Sequence, residues 1–261
     1  MLQKKLNLFK ISKMTKEKVG VLGIGEVGSA IAAIFKNKFI VFKKDLNFDE
    51  IKDKKIEVLH ACIPYTKKFI SSVVSQIKRN KPKLVIIHST IRPGTTDQIF
   101  KKTQVPLVHS PVMGTHPNLK KDILKFVKFI GPVNKNSAAL AKKHFADVGI
   151  KVEILTSPLE SEIGKLLDSS YYAWNIIFCK LVGNLCKELN VDFEKVYTLF
   201  NKEYNSGYVQ SKPKVIRPIL KYENGSIGGH CLIPNNKILD NYKKSPLTTF
   251  ILKINKSFGK E

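Results

Sequence analysis

Between residues 18 and 155, short apolar runs alternate with stretches of helical periodicity. The runs at 19–22, 39–42, 56–62, 84–88, 105–109, 126–130 and 152–155 read as strands. The spacing predicts helices over 27–35, 67–78 and 137–148. Such alternation gives an α/β domain on a mainly parallel sheet. Gly131-Pro132 and Gly149 break the pattern at element ends. Beyond Ser157-Pro158 the character changes. Residues 159–189 read as one long helix, started after Ser-Pro and ended near Asn190, apolar on most faces. A helix of that kind is buried between domains or between subunits. A second helix is expected over 192–201, an ordered loop rich in Gly, Asn and Pro over 222–236, and a short final helix over 247–257. The organisation is therefore a basic leader (1–15), a sheet domain (16–157) and a long central helix with a small, mainly α-helical domain (158–261).

Length and composition allow this. The chain has 261 residues, 43% of them hydrophobic, enough for one large domain or two smaller ones. No apolar run is long enough to span a bilayer, and none near the start makes a secretory signal core. Residues 1–15 are basic and free of acid, and read as a disordered leader. Cys62, Cys179, Cys186 and Cys231 form no close pair, which argues against a zinc site or disulfide framework and fits a reducing, cytoplasmic compartment. The formal charge of +24 raises nucleic acid as a partner. It is carried almost wholly by scattered Lys, with Arg only at Arg79, Arg92 and Arg217 and no basic block interleaved with aromatics. A solvated lysine-rich surface, with no specific nucleic-acid role, is the reading that follows.

The first strand runs into Gly23-Ile-Gly25-Glu26-Val27-Gly28, a Gly-x-Gly-x-x-Gly set between a strand and a helix. The first glycine permits a tight turn, the second lets backbone approach a pyrophosphate, and the third allows close helix–strand packing. In this position the motif predicts a Rossmann-type dinucleotide site, with the phosphates on the helix N-terminus. The ribose-binding acid expected at the end of the second strand falls on Lys43, with Asp45 just beyond, so NAD is expected and NADP stays open. Ser89 and Thr90 follow the fourth run, where ligands meet the carboxyl ends of parallel strands, and Thr95 or Thr96 would cap a helix there. Pro64, past the third run, completes the expected cofactor set together with Glu26 and Val27.

Two further places carry chemistry. Cys231 follows the pair Gly228-Gly229, held like a nucleophile, although most free cysteines are packing residues and the loop alone leaves both readings open. Lys165 stands among apolar neighbours on the long helix, sharing a face with Ser169 and Tyr172. It either snorkels to water or enters a cleft and stabilises developing alkoxide charge.

The glycine fingerprint, the Ser89-Thr90-Ile91 turn, Glu162…Lys165-Leu166 and Gly228-Gly229-His230-Cys231 occur in an order that resembles the UDP-glucose/GDP-mannose dehydrogenase family. The likeness covers nearly the whole chain. It implies an NAD-binding Rossmann domain, a homodimer through the helix 159–189, and oxidation of a sugar primary alcohol in two NAD-dependent steps. In that scheme Cys231 attacks the aldehyde and Lys165 stabilises oxyanions. Ser89 and Thr90 contact the cofactor, and Arg217 meets a substrate anion. The chain departs from the family pattern in carrying Ser169 for an Asn and Asn235 for an Asp implicated as a base. It ends about where the family's nucleotide-binding C-terminal domain begins, so it resembles a short, divergent member whose small-molecule substrate is an anionic sugar derivative. His109, His116 and His230 are candidate replacements for the lost acid/base groups, with His116 and His230 also placed to bind substrate. Two alternatives remain. One is a two-electron dehydrogenase or reductase resembling the β-hydroxyacid and 6-phosphogluconate enzymes, with Lys165 as acid/base. The other is a cofactor-binding regulatory protein without turnover.

Overall fold

The computed structural model describes residues 16–114 and 117–260; residues 1–15 and His116 lie outside the described residues. β1 (Lys18–Leu22) turns into α1 (Glu26–Phe35), and β2 (Ile40–Asp45) makes a hairpin with β3 (Phe48–Asp49). β4 (Val58–Ala61), α2 (Phe69–Asn80), β5 (Leu84–Ile87), α3 (Thr95–Thr103) and β6 (Leu107–His109) continue the alternation. α4 (Leu119–Lys125), β7 (Lys128–Pro132), α5 (Lys135–Ala146) and β8 (Val152–Ile154) complete it. The eight strands among the described residues lie in the order β3-β2-β1-β4-β5-β6-β7-β8. Only the β2–β3 and β6–β7 pairs are antiparallel. The sheet is thus the mainly parallel one expected, and its order reverses between β1 and β4, where open sheets of this kind take ligands.

β4, β5 and β6 are buried at every residue, because helices cover both faces. One layer packs Phe35, Ile31 and Phe145 from α1 and α5 against the sheet, and the other packs Phe69, Val73, Ile77 and Ile99 from α2 and α3. The run expected as a strand at 126–130 starts later, at Lys128. Phe126 instead closes α4, its N–H bonded to Asp122 O at 2.9 Å. α3 and α4 are short and lysine-rich, with too few apolar positions to announce themselves.

The first layer holds an uninterrupted line of imidazoles. His88 Nδ1 lies 3.0 Å from the Ser110 carbonyl, His88 Nε2 2.8 Å from His60 Nδ1, and His60 Nε2 3.0 Å from His144 Nε2. A carbonyl only accepts, so the proton must sit on His88 Nδ1, then on His60 Nδ1, then on His144 Nε2. Three neutral tautomers are fixed in turn, and His144 Nδ1 is left buried without a partner. Burial holds His60 and His88 well below the usual histidine range and pushes His144 down to about 3. The same Ser110 carbonyl accepts from Lys128 Nζ at 2.7 Å, and burial pushes that amine down to about 7.

α6 (Pro158–Glu188) starts on the Ser157 N-cap and runs for 31 residues. Its first turn is built into the sheet domain through Glu162, which is 1% exposed. Glu162 accepts from Gly94 N at 2.6 Å, Thr96 N at 2.9 Å and Thr96 Oγ1 at 2.6 Å, which caps α3 from a distant element. Removing these three charge-assisted bonds in Glu162→Ala should cost about 3 kcal/mol. The check is a lower urea midpoint at unchanged m.

Past α6, a π-helical segment (Glu194–Leu199) runs into α7 (Phe200–Tyr208), so the helix expected to end at 201 continues to Tyr208. α8 (Leu232–Tyr242) and α9 (Pro246–Ser257) then pack on α6. α6 is not buried all round. Leu166, Ser170, Ala173 and Ile177 face inward, while Leu167, Tyr171, Phe178 and Leu185 are exposed in the single chain.

Candidate functional site

The glycine turn has the geometry its motif requires. Gly23 has φ +87°, and a Cβ on Gly28 would lie 1.7 Å from Gly23 O, so neither tolerates a side chain. Gly25, the N-cap of α1, has no atom within 4 Å of its missing Cβ and is exposed. The protein thus leaves open the place where backbone would approach a pyrophosphate, at a helix start with no side-chain cap. Asp45, the last residue of β2, accepts from Ile24 N at 2.6 Å and from Leu46 N at 2.8 Å. Its carboxylate is therefore tied to the turn, whereas Lys43 is exposed two residues earlier on the same sheet face. These residues fit a dinucleotide. Gly25→Val should leave the fold intact but weaken NADH binding about ten-fold or more. Titration by NADH fluorescence beside a melting curve would check both halves.

Ser89 Oγ donates to Ile63 O at 2.6 Å, tying the end of β5 to the end of β4 beside exposed Pro64. Thr90 is half-buried next to it, and Val27 is half-buried in the first turn of α1. Cys62 is half-buried against Gly28, and burial pushes its thiol up to about 12.

Cys231 is exposed and is the N-cap of α8. The loop expected over 222–236 thus ends at Cys231, and Leu232 to Asn236 are helical. Pro234 misled the reading; in the first turn of a helix its missing N–H has no bond to lose. Asn235 N bonds Cys231 O at 2.9 Å. Asn235 Nδ2 donates to Ser169 Oγ at 2.9 Å, and Ser169 Oγ donates to Lys165 O at 3.2 Å. The two departures from the family pattern are therefore partners, joined in one buried bond. Ala173 and Ile177 cluster with Leu232 and Ile233, while Tyr242, at the other end of α8, lies over Arg92 near the start of α6. α8 therefore runs against α6, with the Ser169–Asn235 bond between the Lys165 turn and the Cys231 turn. Lys165 Nζ is 3.8 Å from Asp168 Oδ2, its side chain 19% exposed.

His230 Nε2 lies 3.5 Å from Glu26 Oε2, which sets the Cys231 turn against the first turn of α1. His109 is a different matter. It is fully buried, with Nδ1 at 2.8 Å from Ser161 Oγ and Nε2 at 3.1 Å from Ser89 O. Burial pushes it down to about 3, so it joins β6 to α6 as a neutral ring and does not replace a lost acid/base group. Arg217 stacks over the Tyr204 ring, 3.4 Å from its centroid, and is held by Asn205. The sequence reading missed Ser170 and Asn236. The doublets Ser169-Ser170 and Asn235-Asn236 were the available signal, for each Ser bonds the matching Asn 66 residues on.

No family model matches the chain. It is 27% identical over 202 residues to a UDP-N-acetyl-D-mannosamine dehydrogenase of Methanocaldococcus jannaschii, an alignment covering 70% of this chain and 44% of that protein. The chain thus spans under half the length of that curated relative. The structure of a UDP-D-ManNAc dehydrogenase from Pyrococcus horikoshii superposes with a TM-score of 0.77 at 18% identity, covering 92% of this chain and 68% of that one. A 3-hydroxyisobutyrate dehydrogenase from Mycobacterium tuberculosis superposes at 0.69 with 13% identity, covering 93% and 94%.

Proposed function

We propose that this chain, a sequence relative of the UDP-sugar dehydrogenases with a Rossmann-type fold, is an oxidoreductase acting on a CH–OH group of an anionic sugar derivative such as a nucleotide sugar. The observation that carries the reading is the His230–Glu26 contact, which brings the cysteine turn to the glycine turn. A nicotinamide dinucleotide bound there supplies the hydride acceptor. Gly25 gives it backbone room in a turn that Gly23 and Gly28 shape, and Asp45 supports NAD over NADP because a carboxylate would repel a 2′-phosphate. Lys165 donates to the oxygen that gains charge as the alcohol is oxidised. The Cys231 sulfur then adds to the aldehyde carbon, forming a C–S bond and giving up the thiol proton. After the second oxidation, water adds to the thioester, the C–S bond breaks and the thiol regains its proton. The free thiols of the described residues support work in a reducing compartment. The bare apolar face of α6 supports a homodimer through that helix.

The second reading, a two-electron dehydrogenase with Lys165 as acid/base, is favoured by one feature. Asn235 presents an amide bound to Ser169, not a carboxylate that could activate water. Purified protein incubated with NAD and UDP-N-acetyl-D-mannosamine or UDP-glucose decides between them. Two NADH per substrate supports the four-electron route, one supports the rival, and binding without turnover sinks both.

A further inference from the structure

We propose that Ser170 and Asn236 are positioning residues for Cys231, a clasp that holds the first turn of α8 wound beneath the nucleophile. Asn236 has no exposed surface and neither has Ser170, yet both are polar. Ser170 Oγ lies 2.9 Å from Asn236 Oδ1, and Asn236 Nδ2 donates to Leu232 O at 2.9 Å. The carbonyl of Leu232 can only accept, so the amide nitrogen must face it. Asn236 Oδ1 therefore takes the Ser170 proton. The polarity is opposite to that of the neighbouring pair, where Asn235 Nδ2 donates to Ser169 Oγ. Ser170 Oγ also reaches the Leu166 carbonyl at 3.0 Å, so its one proton is shared between its own helix and Asn236 Oδ1.

The location gives this bond its role. Leu232 is the residue after Cys231, so Asn236, bonded to Ser170 of α6, also holds the carbonyl one residue past the nucleophile. On the other side the loop is held at Ile227, whose N–H donates to Asn255 Oδ1 at 2.6 Å, and at His230, which meets Glu26, but the glycine pair between them is open. Gly228 and Gly229 have nothing within 4 Å of their missing Cβ atoms, and Gly229 has φ +77°. The thiol is thus approached through an open glycine pair and located by the clasp behind it. Packing alone would be served as well by two apolar side chains; a directional bond fixes rotation and register as well.

That difference is measurable. Ser170→Ala leaves Asn236 Oδ1 buried without a donor and should lower Tm. The double variant Ser170→Ala/Asn236→Leu replaces both partners by apolar groups and should recover Tm. Under the clasp it should still show kcat reduced about ten-fold or more, since small misplacements of a reacting group are costly, with KM for NAD unchanged. Alkylation of Cys231 by iodoacetamide, followed by mass spectrometry, should slow about three-fold or more in the same variant. Ser170→Thr, which keeps the hydroxyl, should restore both rates. The kinetic arm rests on the oxidoreductase reading above, but alkylation does not. Absence of turnover in the native chain with slowed alkylation in the double variant would defeat that reading and leave the clasp supported. A double variant with native Tm and native alkylation rate would overturn the clasp, whatever the turnover.

Discussion

Between about pH 6.5 and pH 5 the protein is expected to lose stability at about 5 kcal/mol per pH unit once the slope is fully developed. The cause is four buried histidines, His60, His88, His109 and His144, all with native pKa values depressed by burial. Unfolded, each takes a proton near pH 6.5; folded, His109 and His144 wait until about 3 and the other two are held well below their usual range. Within that window the unfolded chain binds up to four more protons than the native one. The histidine contribution to stability is therefore complete above pH 6.5 and falls as pH falls. The imidazole line sharpens this. His144 Nδ1 is its sole ring nitrogen without a partner, so a proton taken up elsewhere along the line breaks a bond. The loss reaches about 8 kcal/mol by pH 5, within the typical domain stability of about 5–15 kcal/mol. Lys128 acts on the alkaline side with the same sign. Its native value of about 7 lies below the unfolded 10.5, so stability should still rise, by about 1.4 kcal/mol per unit, between those limits. Urea titrations across the acid range provide the test. A slope of one proton or less would show that the rings are not held neutral in the native state.

The layout of the sheet was legible because strands covered on both faces are apolar throughout, as β4 and β5 are. The glycine turn was legible for a related reason, since positions where a Cβ collides admit one residue type. What escaped depends on contacts between distant segments. Ser169 and Asn235 looked like two separate losses because their pairing spans 66 residues and only the folded chain joins them. His109 looked like a base that titrates near neutrality, and burial removes that property. Glu162 belonged to a motif, but its function as the cap of α3 required α6 to be seen lying on the loop at Gly94. The long helix was read as apolar on most faces and buried between domains or subunits, because hydrophobicity states which residues avoid water and not which surface covers them. On the isolated chain one face has its cover and the other is bare.

Lys165→Met and Cys231→Ala should divide the proposed reaction between them. Lys165 lies one turn before Ser169, whose bond to Asn235 joins α6 to the Cys231 helix, and losing an oxyanion donor costs about 10²- to 10³-fold in kcat. That variant should lose both oxidations together, because an alkoxide and a tetrahedral oxyanion need the same donor. Cys231 has no part in the first oxidation, which removes a hydride from the alcohol carbon and a proton from its oxygen. Its alanine variant should therefore still form aldehyde and yield one NADH per substrate in place of two. The two-electron rival predicts otherwise: one NADH in the native protein, and no change on removing an exposed thiol. Stoichiometry in the two variants, with NADH binding measured as a control for the intact glycine turn, separates these outcomes. A Cys231→Ala protein that still gives two NADH per substrate would exclude the thioester, and a Lys165→Met protein with native kcat would place the oxyanion donor elsewhere.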